Sequence, residues 1–224
     1  MSIIFVAIDG PAGSGKSSVS KQAARELGWG YLDTGAAYRA LTWATQNLAQ
    51  FSLESLANLD LPTVFDYAIS IDPDNYWVHV GSQDVTQEIR STQVAEGVSQ
   101  VARIPEVREY MKQLTRAIAE ECPRPGIIVE GRDITTVVLP DAQARLLLTA
   151  SEEVRLERRS AEIGQTDTQQ VARQVSQRDA SDAKVVDFMT PAQGVSLIDS
   201  SNLNFAETVA AVLETIANAT PKDH

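Results

Sequence analysis

The chain has 224 residues, 43% of them hydrophobic and 22% charged, with 19 Lys plus Arg against 30 Asp plus Glu and a formal net charge of −11. That composition belongs to a folded globular protein, not a disordered or collagen-like one, and so acidic a chain lacks the basic face that non-specific binding to nucleic acid or to an anionic membrane requires. The single cysteine, Cys122, excludes an internal disulfide; no stretch approaches the roughly 20 apolar residues of a membrane span and the start lacks a basic signal region, so the expected place of work is the cytoplasm.

The first apolar run, Ile3 to Ile8, is rich in β-branched residues and closes in Asp9-Gly10-Pro11, which predicts a buried strand followed by a glycine loop. Val19, Ala23 and Leu27 then recur on one helical face, with Gly28 where a C-cap belongs. A second helix is predicted over Ala36 to Ala49. Val64 to Ile71 and Tyr76 to Val80 read as two short strands around the turn Asp72-Pro73-Asp74-Asn75, a small inserted hairpin. Helical spacing returns at Val94, Val98 and Val101, and again at Val107, Met111, Leu114 and Ile118. Gly126 to Val129 and Arg145 to Leu148 have the short, uniformly apolar character of central parallel strands. Ser151 to Ala183 turns polar and charged. A last strand, Val195 to Ile198, precedes a helix from Asn204 to about Ala217, with Asn204 and Glu207 spaced as a capping box. Strands and helices alternate, which predicts an α/β fold with a parallel sheet.

Gly10-Pro11-Ala12-Gly13-Ser14-Gly15-Lys16-Ser17 fits G-x-x-x-x-G-K-[ST] at every position. The glycines let successive N–H groups turn toward one anion, Lys16 brings a charge to the β and γ phosphates, and the Ser17 hydroxyl can ligate Mg²⁺. The helix that follows aims its positive end at the same point. A dinucleotide loop is the competing reading, with Gly13-Ser14-Gly15 as its start and Asp33 as a ribose acid, but its third glycine position is Ser18. No Asn-Lys-x-Asp guanine reader is present, and the central strands end without a Walker-type Asp, although Glu130 closes the first of them. These features favour a small-molecule kinase over a motor or a switch GTPase.

The acceptor is read from the cations. Of the 19, 14 are Arg and 5 are Lys, and Arg is the side chain whose rigid fork matches phosphate. An alcohol acceptor needs a base; a phosphate acceptor is already a nucleophile and needs cations to hold two polyanions in line. The two histidines, His79 in the hairpin and His224 at the end, are not in catalytic contexts. Arg25, Arg116, Arg124, Arg145 and Arg173 fit no site motif and are expected at the surface.

From Ile3 to about Ile216 the sequence resembles the bacterial cytidylate kinases, a branch of the nucleoside monophosphate kinases. The resemblance is carried by Ile8 to Ser17, Leu32-Asp33-Thr34-Gly35-Ala36-Ala37-Tyr38-Arg39, Asp84-Val85-Thr86-Gln87-Glu88-Ile89-Arg90 and Val129-Glu130-Gly131-Arg132-Asp133-Ile134-Thr135-Thr136-Val137-Val138. It implies a P-loop three-layer fold, one kinase domain over residues 1–220 with a nucleotide-binding insertion at about 35–105, a helical lid at about 151–184 and a frayed tail at 221–224. It also implies transfer of phosphoryl from Mg·ATP to CMP or dCMP; a monomer is the expected state. ATP would lie on Gly10, Pro11, Ala12, Gly13, Ser14, Gly15, Lys16, Ser17 and Ser18, under the lid arginines Arg155, Arg158 and Arg159. CMP would meet Thr34, Arg39, Ser99, Arg108, Arg132, Asp133, Arg178 and Asp182, with Asp133 on the cytosine amino group and Arg39 and Arg132 on the phosphate. Lys16, Arg132, Arg158 and Arg159 would stabilise the transferred group, and Ser17 would hold the Mg²⁺.

Two departures stand out. The family often carries Asp where Glu130 stands. It usually places an arginine shortly after the position of Asp182, where this chain offers Lys184, which would meet the CMP phosphate with a charge but without the bidentate fork. Two rival readings remain: a kinase of a small hydroxyl metabolite with Asp33 as base, and a non-catalytic ATP-binding module.

Overall fold

The computed structural model describes residues 3–163 and 189–220. Five parallel strands form the central sheet: β1 (Ile4–Asp9), β2 (Gly30–Asp33), β6 (Gly126–Gly131), β7 (Ala144–Thr149) and β8 (Ser196–Asp199), in the order β2-β6-β1-β7-β8. The parallel α/β expectation holds. Strand β1 pairs with β6 on one side and β7 on the other, so the glycine loop leaves from the middle of the sheet's carboxyl end, where open α/β sheets bind ligands.

The two-residue strand period divides β1 between two cores. Val6 and Ile8 face α1 (Lys16–Leu27) and α7 (Phe205–Ala219), meeting Val19, Ala23, Val212 and Ile216. Ala7 faces the opposite side with Ile127, Val129, Ala119, Cys122 and Ile134. Cys122 is buried and free, its thiol 3.8 Å from the Gly126 carbonyl oxygen. The capping box of α7 is present in both directions: the Glu207 amide donates to Asn204 Oδ1 (3.0 Å), and the Asn204 amide donates to Glu207 Oε2 (2.8 Å).

A third apolar cluster fills the segment between β2 and β6. It joins α2 (Thr34–Asn47), the helical turn α3 (Leu61–Val64), α4 (Thr92–Val101) and α5 (Pro105–Glu120) to a small antiparallel sheet of β3 (Tyr67–Ile69), β4 (Val78–Val80) and β5 (Gln83–Asp84). Helix α2 begins two residues before its predicted start because Asp33 caps it, accepting from the Ala36 amide at 3.2 Å. The predicted strand from Val64 shortens to Tyr67–Ile69. Pro62 sits in the first turn of α3, the Phe65 amide donates back to Leu61 O (2.9 Å), and the Phe65 ring packs against Phe51, Tyr67 and Tyr110. The third strand, β5, is two exposed polar residues reached through Gly81 at φ 57, which left no hydrophobic pattern to read.

Four of the arginines expected at the surface tie segments together. Arg25 reaches Asp74 (2.7 Å) and Pro73 O, Arg124 reaches Asp72 (3.1 Å) and Trp29 O, Arg116 reaches Asp141 and Val138 O, and Arg145 reaches Thr135 O and Gln193 O. Among the described residues, no helix is long and apolar enough to cross a membrane. Residues 221–224 and Arg173 lie outside the described residues.

Helix α1 ends at Gly28 with φ 68, and a Cβ there would meet nothing within 4 Å. Gly28→Ala should therefore cost only the left-handed backbone penalty, about 1 kcal/mol, read as a lower urea midpoint with an unchanged slope. A loss above about 3 kcal/mol would mean that the position carries packing which the geometry does not show.

Candidate functional site

The glycine loop joins β1 to α1. Gly13 and Gly15 hold φ 75 and φ 85, the left-handed region that lets the chain fold back on itself. Gly15 is the N-cap of α1 and supplies no capping side chain, so the first amides of the helix stay available to an anion. At Gly10 a Cβ would lie 2.2 Å from Leu148 O, so the loop sits directly against the end of β7 and only glycine fits. Lys16 Nζ donates to Pro11 O at 3.4 Å, which holds the ammonium over the loop.

The carbonyl side of this loop faces arginines. Arg132 Nη1 donates to Gly10 O, Arg155 Nη1 to Ala12 O (3.0 Å) and Arg158 Nη1 to Ser14 O (3.2 Å). The last two come from α6 (Glu152–Ile163). The sequence reading sets Arg155 and Arg158 over the donor phosphates; the structure seats them against the carbonyls of the loop. Arg159 is half-buried on the same helix.

Two carboxylates stand beside Lys16 and Ser17. Glu130, at the end of β6 and only 2% exposed, accepts from Ser17 Oγ (2.6 Å) and from the Tyr31 hydroxyl (3.2 Å). Burial and the neighbouring Asp33 charge push its pKa up, against the pull of Lys16 and Ser17. Asp33 ends β2 and accepts from Arg39 Nη2 at 2.7 Å, with the Tyr76 hydroxyl at 3.5 Å. Burial works to raise Asp33, but the charges of Arg39, Arg90 and Lys16 outweigh it and hold the carboxyl below its usual range. Adjacent in the chain, the Thr34 hydroxyl donates to Glu130 O (2.9 Å).

A cleft of about 340 Å³ opens between α2, α5 and the segment after β6. Thr34, Arg108 and Asp133, three of the residues expected on CMP, line it, and Arg108 Nη2 meets Asp133 Oδ2 at 2.5 Å. Tyr38, Lys112 and the apolar Met111 and Ile134 line it too, and had been given no role. Ser99 is half-buried on α4 and is not among the lining residues.

Asp9 explains how Asp133 is aimed. The same strand alternation that turns Ala7 toward Ile134 carries Asp9 to that face, where it is 3% exposed. It accepts from the amides of Ile134 (2.8 Å) and Thr135 (2.9 Å) and from the Thr135 hydroxyl (2.6 Å). These bonds anchor a single π-helical turn, Ile134–Val138, whose first carbonyl partner is Asp133 O. Desolvation raises the Asp9 pKa in spite of the three donors. The only sequence signal was an acid at the end of an otherwise apolar buried strand. Arg178, Asp182 and Lys184 lie outside the described residues.

Chemically, the site offers an anion seat, a pair of acids beside a lysine and a serine hydroxyl, and a second, deeper cleft with one fixed carboxylate. Residues 6–218 match the family described as Cytidylate kinase. The chain is 39% identical to the cytidylate kinase of Cutibacterium acnes, across 95% of this chain and 96% of that protein. It is 41% identical to that of Mycobacterium leprae, across 96% of each. Among solved structures, TT1252 from Thermus thermophilus superposes with a TM-score of 0.52 at 20% identity, covering 99% of this chain and 100% of that one, a likeness of fold alone.

The Arg39–Asp33 pair gives a stability test, since both side chains are nearly enclosed, at 14% and 10% exposure. Arg39→Ala leaves a buried carboxylate without its counter-charge and should cost about 3–5 kcal/mol. Because Asp33 is depressed in the folded state, the stabilisation is present above the unfolded carboxyl value of about 3.9 and disappears as pH falls through the lower folded value. Urea unfolding at several pH values should show a full wild-type to variant gap at pH 6 that narrows below about pH 4. A gap independent of pH would contradict the pairing.

Proposed function

The chain belongs to the cytidylate kinase family, and on that premise we propose that it transfers the γ-phosphoryl group of ATP to the phosphate of CMP or dCMP. The bond from the γ phosphorus to the β,γ-bridging oxygen breaks as a bond to an acceptor phosphate oxygen forms, releasing ADP and a cytidine diphosphate. A nucleoside monophosphate is largely dianionic at neutral pH, with a second pKa of about 6, so no base is required. The site's work is to align two polyanions and offset their repulsion.

One observation carries this reading over its rivals. Asp33, the residue that would act as base toward an alcohol, is bound at 2.7 Å to Arg39 and held below the ordinary carboxylate range. A poor base next to a buried guanidinium suits an acceptor that arrives already charged. The fixed Asp133 suits cytosine, whose N4 amino group is a donor in want of an acceptor.

In this reading Lys16 and the amides of Gly10 to Ser18 hold the donor. Arg39 and Arg132 take the acceptor phosphate, Thr34 and Arg108 position the nucleoside, and Arg159 faces the transferred group. Mg²⁺ fits the oxygens at the loop: the Ser17 hydroxyl and Glu130 carboxylate are 2.6 Å apart beside Lys16. A hard cation that keeps most of its shell from phosphates and water needs no more from the protein. When bound, it would neutralise charge between the β and γ phosphates. The domain is read as one unit over 1–220, with an acceptor insertion at about 35–105 and a lid at about 151–184 whose closure would keep water from the donor. Arg178, Asp182 and Lys184 retain their assigned roles on the acceptor within that lid segment.

The test is a coupled assay of ADP production with CMP, dCMP, UMP, AMP, GMP and shikimate offered in turn. Turnover is expected with the cytidine nucleotides; activity confined to the alcohol, or absent with every acceptor, rules the reading out. Asp133→Ala should raise the KM for CMP by about 10-fold or more, the worth of a base-reading contact, with the KM for ATP changed less than about twofold. Equal losses for both substrates would refute the role of Asp133.

A further inference from the structure

A loop that turns its amides toward an anion turns carbonyl oxygens the other way, and on this loop the outward carbonyls meet cations at alternate residues. Gly10, Ala12 and Ser14 each accept from a guanidinium, of Arg132, Arg155 and Arg158 in that order. The two arginines from α6 are set more firmly than a surface pair. Arg155 is 7% exposed, and its own backbone is the floor on which Gly13 rests: a Cβ on Gly13 would lie 2.4 Å from Arg155 O. Arg158 ties the loop to the turn after β8, with Nη1 on Ser14 O (3.2 Å) and Ser200 Oγ (2.9 Å), and Nη2 on Ser200 O (2.9 Å) and Leu203 O (3.3 Å). Ser200 is itself fully buried, its amide and hydroxyl both donating to Thr149 O at the end of β7.

We propose that Arg155 and Arg158 are positioning residues of the donor site, acting through the Ala12 and Ser14 carbonyls from behind the loop instead of through contact with the γ-phosphoryl group. The reading rests on the phosphoryl-transfer function proposed above and departs from the expectation that these arginines overlie the donor phosphates. Two physical effects follow. A charged donor on a peptide oxygen polarises that peptide, so the N–H on its other side becomes a better donor to phosphate. It also offsets the partial negative charge of the carbonyls close to an anion seat. Both effects act on the whole loop, whose amides cradle the α and β phosphates that ATP and ADP share.

That common share sets the test. ATP and ADP are titrated calorimetrically, each with Mg²⁺, into the full-length wild type and into Arg158→Lys. The lysine keeps the charge and cannot span Ser14, Ser200 and Leu203 at once. Both nucleotides should weaken by the same factor, about 10-fold, with the KM for CMP unchanged. Arg158→Ala should exceed that loss, and should the alanine variant fail to fold, the lysine variant carries the test alone. Weakened ATP with ADP at wild-type affinity would place Arg158 on the γ-phosphate and overturn the inference, as would unchanged binding of both. A wild-type chain that binds neither nucleotide would instead overturn the functional reading on which the inference rests.

Discussion

The peptide groups of the glycine loop set the problem that the rest of the molecule solves. Eight residues cannot bond to one another through a ladder or a helix and still point their amides at a ligand, yet their carbonyls are close to the sheet and shielded from water. Lys16 of the loop itself donates to one of them, and the others take donors from distant chain segments: Arg132 from beyond β6, and Arg155 and Arg158 from α6. Each segment is near only because β1 lies between β6 and β7 with its register fixed along the strands. Sheet order thus decides which cations reach the loop.

The same register brings acids together. Asp9 and Glu130 sit at the ends of neighbouring strands and face opposite sides of the sheet, so they do different work. Asp9 is consumed in three hydrogen bonds that shape the turn behind Asp133. Glu130 shares its surroundings with Asp33, two carboxylates that raise each other's cost of ionising, and the chain offsets this with Lys16, Arg39 and Arg90. A net charge of −11 is therefore a poor guide to the cleft, where cations and acids are interleaved at hydrogen-bond distance.

What the sequence made legible were features with a local cause. The loop motif, the αL cap at Gly28 and the capping box at Asn204 and Glu207 are each decided by a few consecutive residues, and each stands where its spacing put it. Features with a non-local cause were not legible. Phe65 draws its segment out of the predicted strand because its ring packs on Phe51 and Tyr110, which come from two other segments. Arg155 and Arg158 carry helical spacing that fits a lid face equally well, and only the packing of α6 on the loop reveals their carbonyl partners. The acceptor cleft was named through its charged residues, while Tyr38, Lys112 and Met111 escaped because side chains of those types are ordinary on any amphipathic helix.

The segment between β2 and β6 is held to the sheet unevenly. Near the reacting end the link is the enclosed Arg39–Asp33 pair, with Tyr76 beside it. At the far end the hairpin turn is held by Arg25 on Asp74 and Arg124 on Asp72, and by the Tyr31 amide donating to Ile71 O (2.9 Å). Asp74 is 73% exposed, and exposed pairs are worth only about 0.2–1 kcal/mol each. Such contacts return the hairpin to one place without resisting its displacement by a small part of a ligand's binding energy. Strong bonds thus stand beside the glycine loop and weak ones at the hairpin, so the segment is held most firmly at its inner end.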